Sequence, residues 1–274
     1  MCLMHWAPSS YPIDMPGSLT VALYQCMPGP LDVAGNLQRL EGAAQQAAES
    51  GAHVLVCPEM FVTGYNIGHA AVLQLAQTAD GGYAQAIAAM ARRHNIALVY
   101  GYPERAPQGP QTVVFNAAQW ISAQGERLLN YRKTRLFGEL DSAQFVAAEP
   151  VATLLDLHGW RIGLLICYDV EFPENTRRLA LAGADLVVVP TANMANFDEV
   201  SQAIVPLRAF ENQIYLAYAN YVGTEGDLQY GGLSTLAGPD GSVLAQAGRE
   251  EALIVTTLSW PDLDSARRAL DINQ

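Results

Sequence analysis

The apolar positions of this chain follow two periods. Short segments rich in β-branched residues, such as 19–26, 54–57 and 162–166, are typical of buried strands. In other segments the apolar residues recur every three or four positions, as in the one that follows Asp32, a residue suited to cap a helix. Because strands and amphipathic helices alternate, with some strands joined as hairpins, the pattern predicts an α/β layered domain with mixed sheets.

The predicted elements cover most of the sequence. Helices are expected over 32–50, 83–93, 173–181 and 198–211, and strands over 19–26, 54–57, 96–101, 113–121, 127–131, 151–157, 162–166, 185–189, 214–218, 232–237, 242–246 and 252–259. We expect loops over 103–110 and 137–150 and a tail over the last fifteen residues. Residues 1–18 lack clear periodicity and are interpreted as an irregular extension, which leaves 19–274 as one domain without linker or repeat.

The composition narrows the possible functions. Half of the residues are hydrophobic and 15% are charged, as in a globular protein with a sizeable core. The net charge of −12 argues against nucleic acid as a partner, since phosphate binding needs clustered Lys and Arg. No apolar run approaches the length of a membrane span, and we expect neither a membrane partner nor a signal peptide.

The cysteines argue against a metal site and disulfides, whereas the single lysine marks a candidate functional position. Cys2, Cys26, Cys57 and Cys167 form no CxxC pair and no zinc-like spacing with histidines, so we expect no metal, no disulfides and a cytoplasmic location. Of the fifteen Lys and Arg residues only Lys133 is a lysine. A lone lysine indicates a place that needs a compact ammonium rather than a planar guanidinium, although chance within an Arg-rich composition would also produce it.

Three chemically competent residues follow predicted strands: Glu59, Lys133 and Cys167. Catalytic groups gather at the carboxyl ends of strands in layered α/β proteins. Cys167 could attack a carbonyl carbon, with a nearby cation favouring its thiolate. Glu59 could transfer protons, and Lys133 together with the backbone N–H of Tyr168 could stabilise an oxyanion.

Each residue taken alone also has an ordinary structural interpretation. A cysteine in a strand is usually part of the core, and a lysine after a hairpin is usually a surface charge. The chain contains no Gly-x-Ser-x-Gly elbow, no His-Glu-x-x-His and no phosphate-binding Gly-rich loop, so the motifs of serine hydrolases, zinc proteases and nucleotide-binding proteins are absent. We expect no cofactor.

Three sequence blocks resemble the signature blocks of the nitrilase (carbon–nitrogen hydrolase) superfamily. They are PEMFVTGY at 58–65, YRKT at 131–134 and ICYDVEFPE at 166–174, in the order and at the spacing typical of the family. The resemblance covers about residues 19–259. It implies a four-layer αββα sandwich, often assembled as a homodimer or a higher homo-oligomer through helices near the nucleophile.

The resemblance also implies roles for individual residues. Glu59 corresponds to the general base, Lys133 to the oxyanion stabiliser and Cys167 to the nucleophile. Many members carry a second glutamate after the lysine, for which Glu139 is the best match and Asp141 a weaker one. The substrate is expected to be a small amide, and Tyr65, Glu171 and Asn193 are expected to line its pocket.

The block around Cys167 is similar to that of amidase-type members, including bacterial (R)-stereoselective amidases. Many relatives carry a basic residue where this chain has Glu171. If Glu171 faces the pocket it would favour substrates that carry an amine, whereas an acidic residue at a helix start also has a purely structural explanation.

The expected activity is hydrolysis of a small carboxamide through a cysteine thioester. Two alternatives stay open on the sequence alone. The same three residues would serve hydrolysis of an N-carbamoyl amine, and the fold could also form a catalytically silent interaction module.

Overall fold

The computed structural model describes residues 16–270. In this part of the chain the strands are β1 (Leu19–Gln25), β2 (Val54–Val56), β3 (Ala97–Gln108), β4 (Gln111–Ile121), β5 (Arg127–Arg132), β6 (Leu154–Leu157), β7 (Trp160–Leu164), β8 (Leu186–Pro190), β9 (Tyr215–Ala219), β10 (Val222–Glu225), β11 (Leu228–Gly231), β12 (Thr235–Ala237), β13 (Val243–Gln246) and β14 (Ala252–Leu258). The α-helices are α1 (Val33–Glu49), α2 (His69–Leu75), α3 (Gly82–His94), α4 (Gly138–Ser142), α5 (Pro173–Leu181), α6 (Val205–Asn212) and α7 (Trp260–Leu270).

Twelve of these strands form two six-stranded mixed sheets. The first sheet has the order β14-β1-β2-β3-β4-β5, and the second has the order β13-β12-β9-β8-β7-β6. Strands β1, β2 and β3 are mutually parallel, as are β7, β8 and β9. In addition, β5 runs in the direction of β2 because β3–β4 and β4–β5 are both antiparallel pairs. Several strands therefore end at one edge of each sheet.

The alternation of side chains along the strands produces the layers. In β1, Val21 and Leu23 point into a core shared with the second sheet, whereas Ala22 packs in a separate cluster with Leu40 and Ala44 of α1. On the second sheet, Gly163 lies against Leu179 of α5. Helices thus cover the outer face of each sheet, and the predicted αββα sandwich is confirmed.

The predicted loop over residues 103–110 is wrong except for the turn at 109–110, because β3 continues to Gln108 and pairs with β4. Proline usually excludes a segment from a strand, since it lacks the N–H of the ladder. Here the N–H of Arg105 points away from β4 and donates to the carbonyl of Gln77. Pro103 and Pro107 lie two residues before and two residues after Arg105, so their backbone nitrogens also point away from β4. The N–H that each proline lacks therefore removes no hydrogen bond between β3 and β4.

Three further segments differ from the predictions. The tail after residue 259 is helix α7, whose buried Leu263 and edge-on contact of Trp260 with Trp160 attach it to the sandwich. The loop over 137–150 contains the short helix α4. The segment expected as one helix over 198–211 is a π-helical turn (Val200–Ile204) followed by α6.

Two elements were not predicted at all, namely helix α2 and the β10–β11 hairpin. Residues 16–18 have no regular structure, and the rest of the predicted N-terminal extension lies outside the described residues. Within residues 16–270, no helix is both long and apolar enough to span a bilayer, and no group of three His, Cys, Asp or Glu side chains could hold a metal ion.

One glycine couples the first sheet to the loop after β2. A Cβ added at Gly101 in β3 would meet the backbone nitrogen of Met60 at 2.1 Å and the carbonyl carbon of Glu59 at 2.8 Å. Since backbone cannot yield as a flexible side chain can, Gly101→Ala is expected to lower the free energy of unfolding by at least about 2 kcal/mol. The measurement is urea unfolding followed by circular dichroism.

The matched control is Gly42→Ala. Gly42 is exposed on α1 and has nothing within 4 Å of an added Cβ, so the same substitution should stabilise the protein by about 0.5–1 kcal/mol. Equal stability of the two variants would contradict the close approach at Gly101.

Candidate active site

The structure brings Glu59, Lys133 and Cys167 together at the carboxyl ends of strands from both sheets. Glu59 follows β2 and Lys133 follows β5 in the first sheet, and Cys167 follows β7 in the second. The N–H of Glu59 donates to the carbonyl of Thr191 (3.2 Å), which follows β8 and so links the loop of one sheet to the other sheet. The predicted clustering of these three residues follows from this topology.

Lys133 is completely buried between two carboxylates. Its Nζ lies 2.7 Å from Glu59 Oε1 and 2.7 Å from Asp141 Oδ2, and both carboxylates are completely buried as well. Burial alone would lower the pKa of the ammonium, but the charges of Asp141 and Glu59 outweigh it and raise that pKa well above its usual value. The lysine therefore stays protonated, and these two contacts leave the third of its three N–H donors for another acceptor.

The second carboxylate of the site is Asp141 rather than Glu139. Both residues lie on α4, but the side chain of Glu139 is exposed whereas that of Asp141 is buried. Asp141 is fixed by the N–H of Phe137, which donates to Oδ2 over 2.8 Å. The expectation that Glu139 fills this position is corrected, because the helical turn of α4 directs position 141 toward Lys133.

Glu59 has one oxygen engaged and one free. Asn116 Nδ2 and Lys133 Nζ both donate to Oε1 over 2.7 Å. Oε2 is buried and has no hydrogen-bond partner among the described residues. Burial raises the pKa of Glu59, the Lys133 ammonium opposes this shift, and the nearby Asp141 carboxylate adds to it. A carboxylate with a raised pKa and a free oxygen is suited to accept and return a proton.

Cys167 begins a short 3₁₀ helix (Cys167–Glu171) in a left-handed backbone conformation with φ of 46°. Such a conformation is costly for a residue other than glycine and is often found at functional sites. Burial and the charge of Glu59 raise the pKa of the thiol well above its ordinary value, although Lys133 lowers it. The effect of Lys133 on the thiol has the expected direction, but burial and Glu59 outweigh it, so an attack by Cys167 calls for a base.

Asp169 connects the segment after Lys133 to the turn of Cys167. Its completely buried carboxylate accepts hydrogen bonds from Thr134 Oγ1 (2.7 Å), the N–H of Arg135 (2.8 Å), the N–H of Ile166 (3.1 Å) and the hydroxyl of Tyr131 (3.0 Å). Because these donors come from both segments, one carboxylate fixes the ammonium and the thiol relative to each other.

The backbone after the nucleophile offers a free donor. The N–H of Tyr168, expected to stabilise an oxyanion, has no hydrogen-bond acceptor within residues 16–270. The ring of Tyr168 packs edge-on against Phe137 and against Phe172, with centroid distances of 5.3 and 5.0 Å. Phe137 in turn packs edge-on against Phe197. A group of partly exposed aromatic rings therefore lies beside Cys167.

The three residues expected to bind substrate have different environments. Tyr65 is buried with the centroid of its ring 5.7 Å from Lys133 Nζ, so it lies within the site. Asn193 is buried and its Nδ2 donates to the carbonyl of Phe197 over 2.9 Å, which engages its amide in a loop contact. Glu171 is half-buried at the end of the 3₁₀ helix. That any of them contacts substrate stays a prediction.

Sequence reasoning did not identify the supporting roles of Asn116 and Asp169. Asn116 lies within an otherwise apolar run of β4, and a lone polar residue at such a position is a usable signal for an internal hydrogen bond. Asp169 belongs to the block around Cys167, but nothing in the sequence indicates that its carboxylate reaches the segment after Lys133.

Comparison with known proteins agrees with this architecture. Residues 20–268 match the model of the family described as carbon-nitrogen hydrolase. The chain is 57% identical over 241 residues to a protein named "Hydrolase in pqqF 5'region" from Pseudomonas protegens, with 88% of this chain and 83% of the relative covered. It is 35% identical over 241 residues to an (R)-stereoselective amidase from a Pseudomonas species, with 88% and 85% covered.

A solved structure is also similar over nearly the whole chain. It is a mutant of the amidase from Nesterenkonia sp. AN1, described as showing covalent addition of the acetamide moiety of fluoroacetamide at its active-site cysteine. The TM-score is 0.78 at 37% identity, with 93% of this chain and 96% of that chain covered. With its fold, its strand-end site and these matches taken together, the chain belongs to the carbon–nitrogen hydrolase family of the nitrilase superfamily.

Proposed function

We propose that this protein is an amidase that hydrolyses small carboxamides to a carboxylic acid and ammonia through a cysteine thioester. The observation that carries the proposal is the buried ammonium of Lys133, held by Glu59 and Asp141 beside the thiol of Cys167. Such an arrangement supplies a nucleophile, a proton acceptor and a fixed positive charge within one water-poor site. Amidase relatives with high coverage support the same reaction class.

In the first half of the reaction, Cys167 Sγ bonds to the amide carbonyl carbon while its proton passes to Glu59 Oε2. The carbonyl oxygen gains the negative charge, and the unused N–H of Lys133 together with the N–H of Tyr168 stabilises it. When the C–N bond breaks, Glu59 returns the proton to the leaving nitrogen, which departs as ammonia. The product of this half is a thioester on Cys167.

In the second half, water attacks the thioester carbon and gives a proton to Glu59. The C–S bond breaks, the carboxylic acid leaves, and Cys167 recovers its proton from Glu59. The raised pKa values of the Cys167 thiol and of Glu59 suit this cycle, because the thiol keeps its proton until substrate is attacked and the carboxyl can hold it between steps.

Cys167→Ala tests the proposal directly. Ammonia release from acetamide, butyramide, an amino-acid amide, an N-carbamoyl amine and acetonitrile should show that wild type hydrolyses amides. The variant should lose at least about 10³-fold in kcat, because the nucleophile is absent. Mass spectrometry of a Glu59→Gln variant mixed with fluoroacetamide should show one added group, located on the peptide that contains Cys167.

The control is Cys26→Ala, since Cys26 is buried at the end of β1 in a separate cluster of the core. It should keep wild-type turnover. The proposal fails if Cys167→Ala remains active, or if wild type releases ammonia from none of the amides. Faster release from the N-carbamoyl amine than from every amide would favour the alternative reaction.

A matched pair on α4 tests which carboxylate completes the site. Asp141→Asn should lower kcat/KM for an amide by about 10²-fold, because Lys133 loses a charged partner and turns toward Glu59. Glu139→Gln removes the same charge two residues away on an exposed side chain and should have no effect. Steady-state kinetics of both variants shows which of the two carboxylates the reaction needs. A larger loss of kcat/KM in the Glu139 variant would contradict the assignment of Asp141.

We also propose that the protein forms a homodimer through α5 and α6. Leu181 on α5 and Leu207 and Phe210 on the adjacent α6 expose 75%, 51% and 43% of their surfaces, which is unusual for large apolar side chains on neighbouring helices. Helix α5 begins six residues after Cys167, as expected for the helices through which members of the family dimerise.

Sedimentation velocity tests the dimer. Wild type should sediment as a dimer, and the double substitution Leu207→Glu with Phe210→Glu should give monomers, because buried charges would face each other across the interface. Leu73→Glu is the control, since Leu73 is exposed to 48% on the distant helix α2 and should leave the dimer intact. A monomeric wild type would contradict the proposal.

The remaining expectations stay predictions. They are the single domain over residues 19–274, the cytoplasmic location, and activity without a cofactor.

A further inference from the structure

Glu171 offers an unpaired carboxylate close to the nucleophile. It ends the 3₁₀ helix that Cys167 begins, and it is half-buried. Within residues 16–270, no Lys, Arg or His nitrogen lies within 4.0 Å of its carboxylate oxygens. A half-buried carboxylate without an ion pair in the protein is available to a ligand of opposite charge.

The nearest arginine holds the backbone of this turn and does not neutralise its side chain. Arg208 donates from Nε to the carbonyl of Val170 (3.0 Å) and from Nη2 to the carbonyl of Glu171 (2.8 Å). Its Nη1 forms an ion pair with Glu211 at 3.0 Å. The guanidinium is therefore occupied, and the position of Glu171 is fixed while its carboxylate is left free.

Glu171 lies near enough to the site for its charge to act on Lys133 and Tyr218. Burial raises the pKa of Glu171 and the neighbouring Glu199 adds to this shift, whereas the charges of Lys133 and Arg208 oppose it. Glu171 also raises the pKa of Tyr218, whose hydroxyl is 3.0 Å from Thr191 Oγ1. Tyr218 of β9 and Thr191 after β8 lie at the same edge of the second sheet as Cys167, which follows β7.

The other groups around this turn also favour a cation. Tyr168, Phe137 and Phe197 present partly exposed aromatic rings, whose faces attract positive charge. The closest exposed cation, Arg135, stacks on Phe172 and pairs with Glu174 at 2.9 Å. Glu199 adds a second negative charge near Glu171.

We propose that Glu171 binds the ammonium group of the substrate, so that the enzyme prefers small amides that carry a protonated amine a few bonds from the carboxamide. The inference rests on the proposed amidase function and specifies its substrate class. It also predicts that amides with a carboxylate are poor substrates, because Glu171 and Glu199 would repel it.

The test compares isosteric substrates. In 3-aminopropanamide an ammonium replaces the terminal methyl group of butyramide, and succinamic acid carries a carboxylate in a similar place. We expect wild type to have a higher kcat/KM for 3-aminopropanamide than for butyramide, and succinamic acid to be the poorest of the three. Glu171→Gln should lower the ratio of the first two by about tenfold, mainly through KM, because a desolvated ion pair becomes a neutral contact.

Glu174→Gln is the matched control. It removes the same charge three residues away, from a side chain that pairs with Arg135, and the ratio should stay at the wild-type value. A wild type without preference for the amine, or a Glu171→Gln variant that keeps the preference, would overturn the inference. Thermal unfolding of both variants shows whether either substitution has disturbed the fold.

Calorimetry separates this inference from the proposed reaction. The Cys167→Ala variant should bind 3-aminopropanamide more tightly than butyramide, and adding Glu171→Gln should abolish the difference. Failure of amide hydrolysis with intact amine binding would reject the proposed function and keep the subsite. Hydrolysis without discrimination would reject the subsite and keep the proposed function.

Discussion

A protonated lysine without solvent contact constrains the design of this molecule more than any other single group. Removing an ammonium from water costs several kcal/mol even after relaxation, and only close counter-charges offset that cost. Glu59 and Asp141 supply them at 2.7 Å each. Two carboxylates on one ammonium leave an excess negative charge, and burial together with that charge raises the pKa of Glu59. The raised pKa of Glu59 is thus in part a consequence of how Lys133 and Asp141 are buried beside it.

The constraint extends into the fold because the three groups come from separate elements. Glu59 follows β2, Lys133 follows β5 and Asp141 lies on α4. A shift of about 1 Å in any of these would lengthen a charge pair in a medium of low dielectric. Asn116 limits such shifts by donating to Glu59 from β4, and Asp169 limits them by joining both segments around Lys133 and Cys167. Because these polar contacts are buried, the loss of one of them would be costly.

How far the sequence predicts the structure depends on the range of each interaction. Strands such as β1 and helices such as α1 follow from local periodicity, and so does the placement of Glu59, Lys133 and Cys167 at strand ends. The choice between Glu139 and Asp141 could not be made, because it depends on the direction of one helical turn relative to a distant lysine. The extension of β3 through Pro103 and Pro107 was missed since it depends on which side of the strand faces its neighbour.

Helix α7 was missed for a different reason. The Ser259 side chain accepts from the N–H of Asp262 (3.3 Å), and Pro261 occupies the first turn, so local start signals were present. What holds the helix is the contact of Trp260 with Trp160 and the ion pair of Arg267 with Asp185 at 2.7 Å, neither of which a local pattern reveals.

In the proposed mechanism, the residue that reacts and the residue that selects the substrate lie on a single turn of chain. Cys167, at the start of the 3₁₀ helix, belongs to the buried set that includes Lys133 and Asp169, and a change of charge there would disturb the fold as well as the reaction. Glu171, four residues later, depends on Arg208 only through its backbone carbonyl. Its side chain can therefore change sign without removing a structural partner. If Glu171 binds the substrate ammonium as proposed, the sign of this one side chain is a physically inexpensive means of matching a fixed catalytic arrangement to the charge of the substrate.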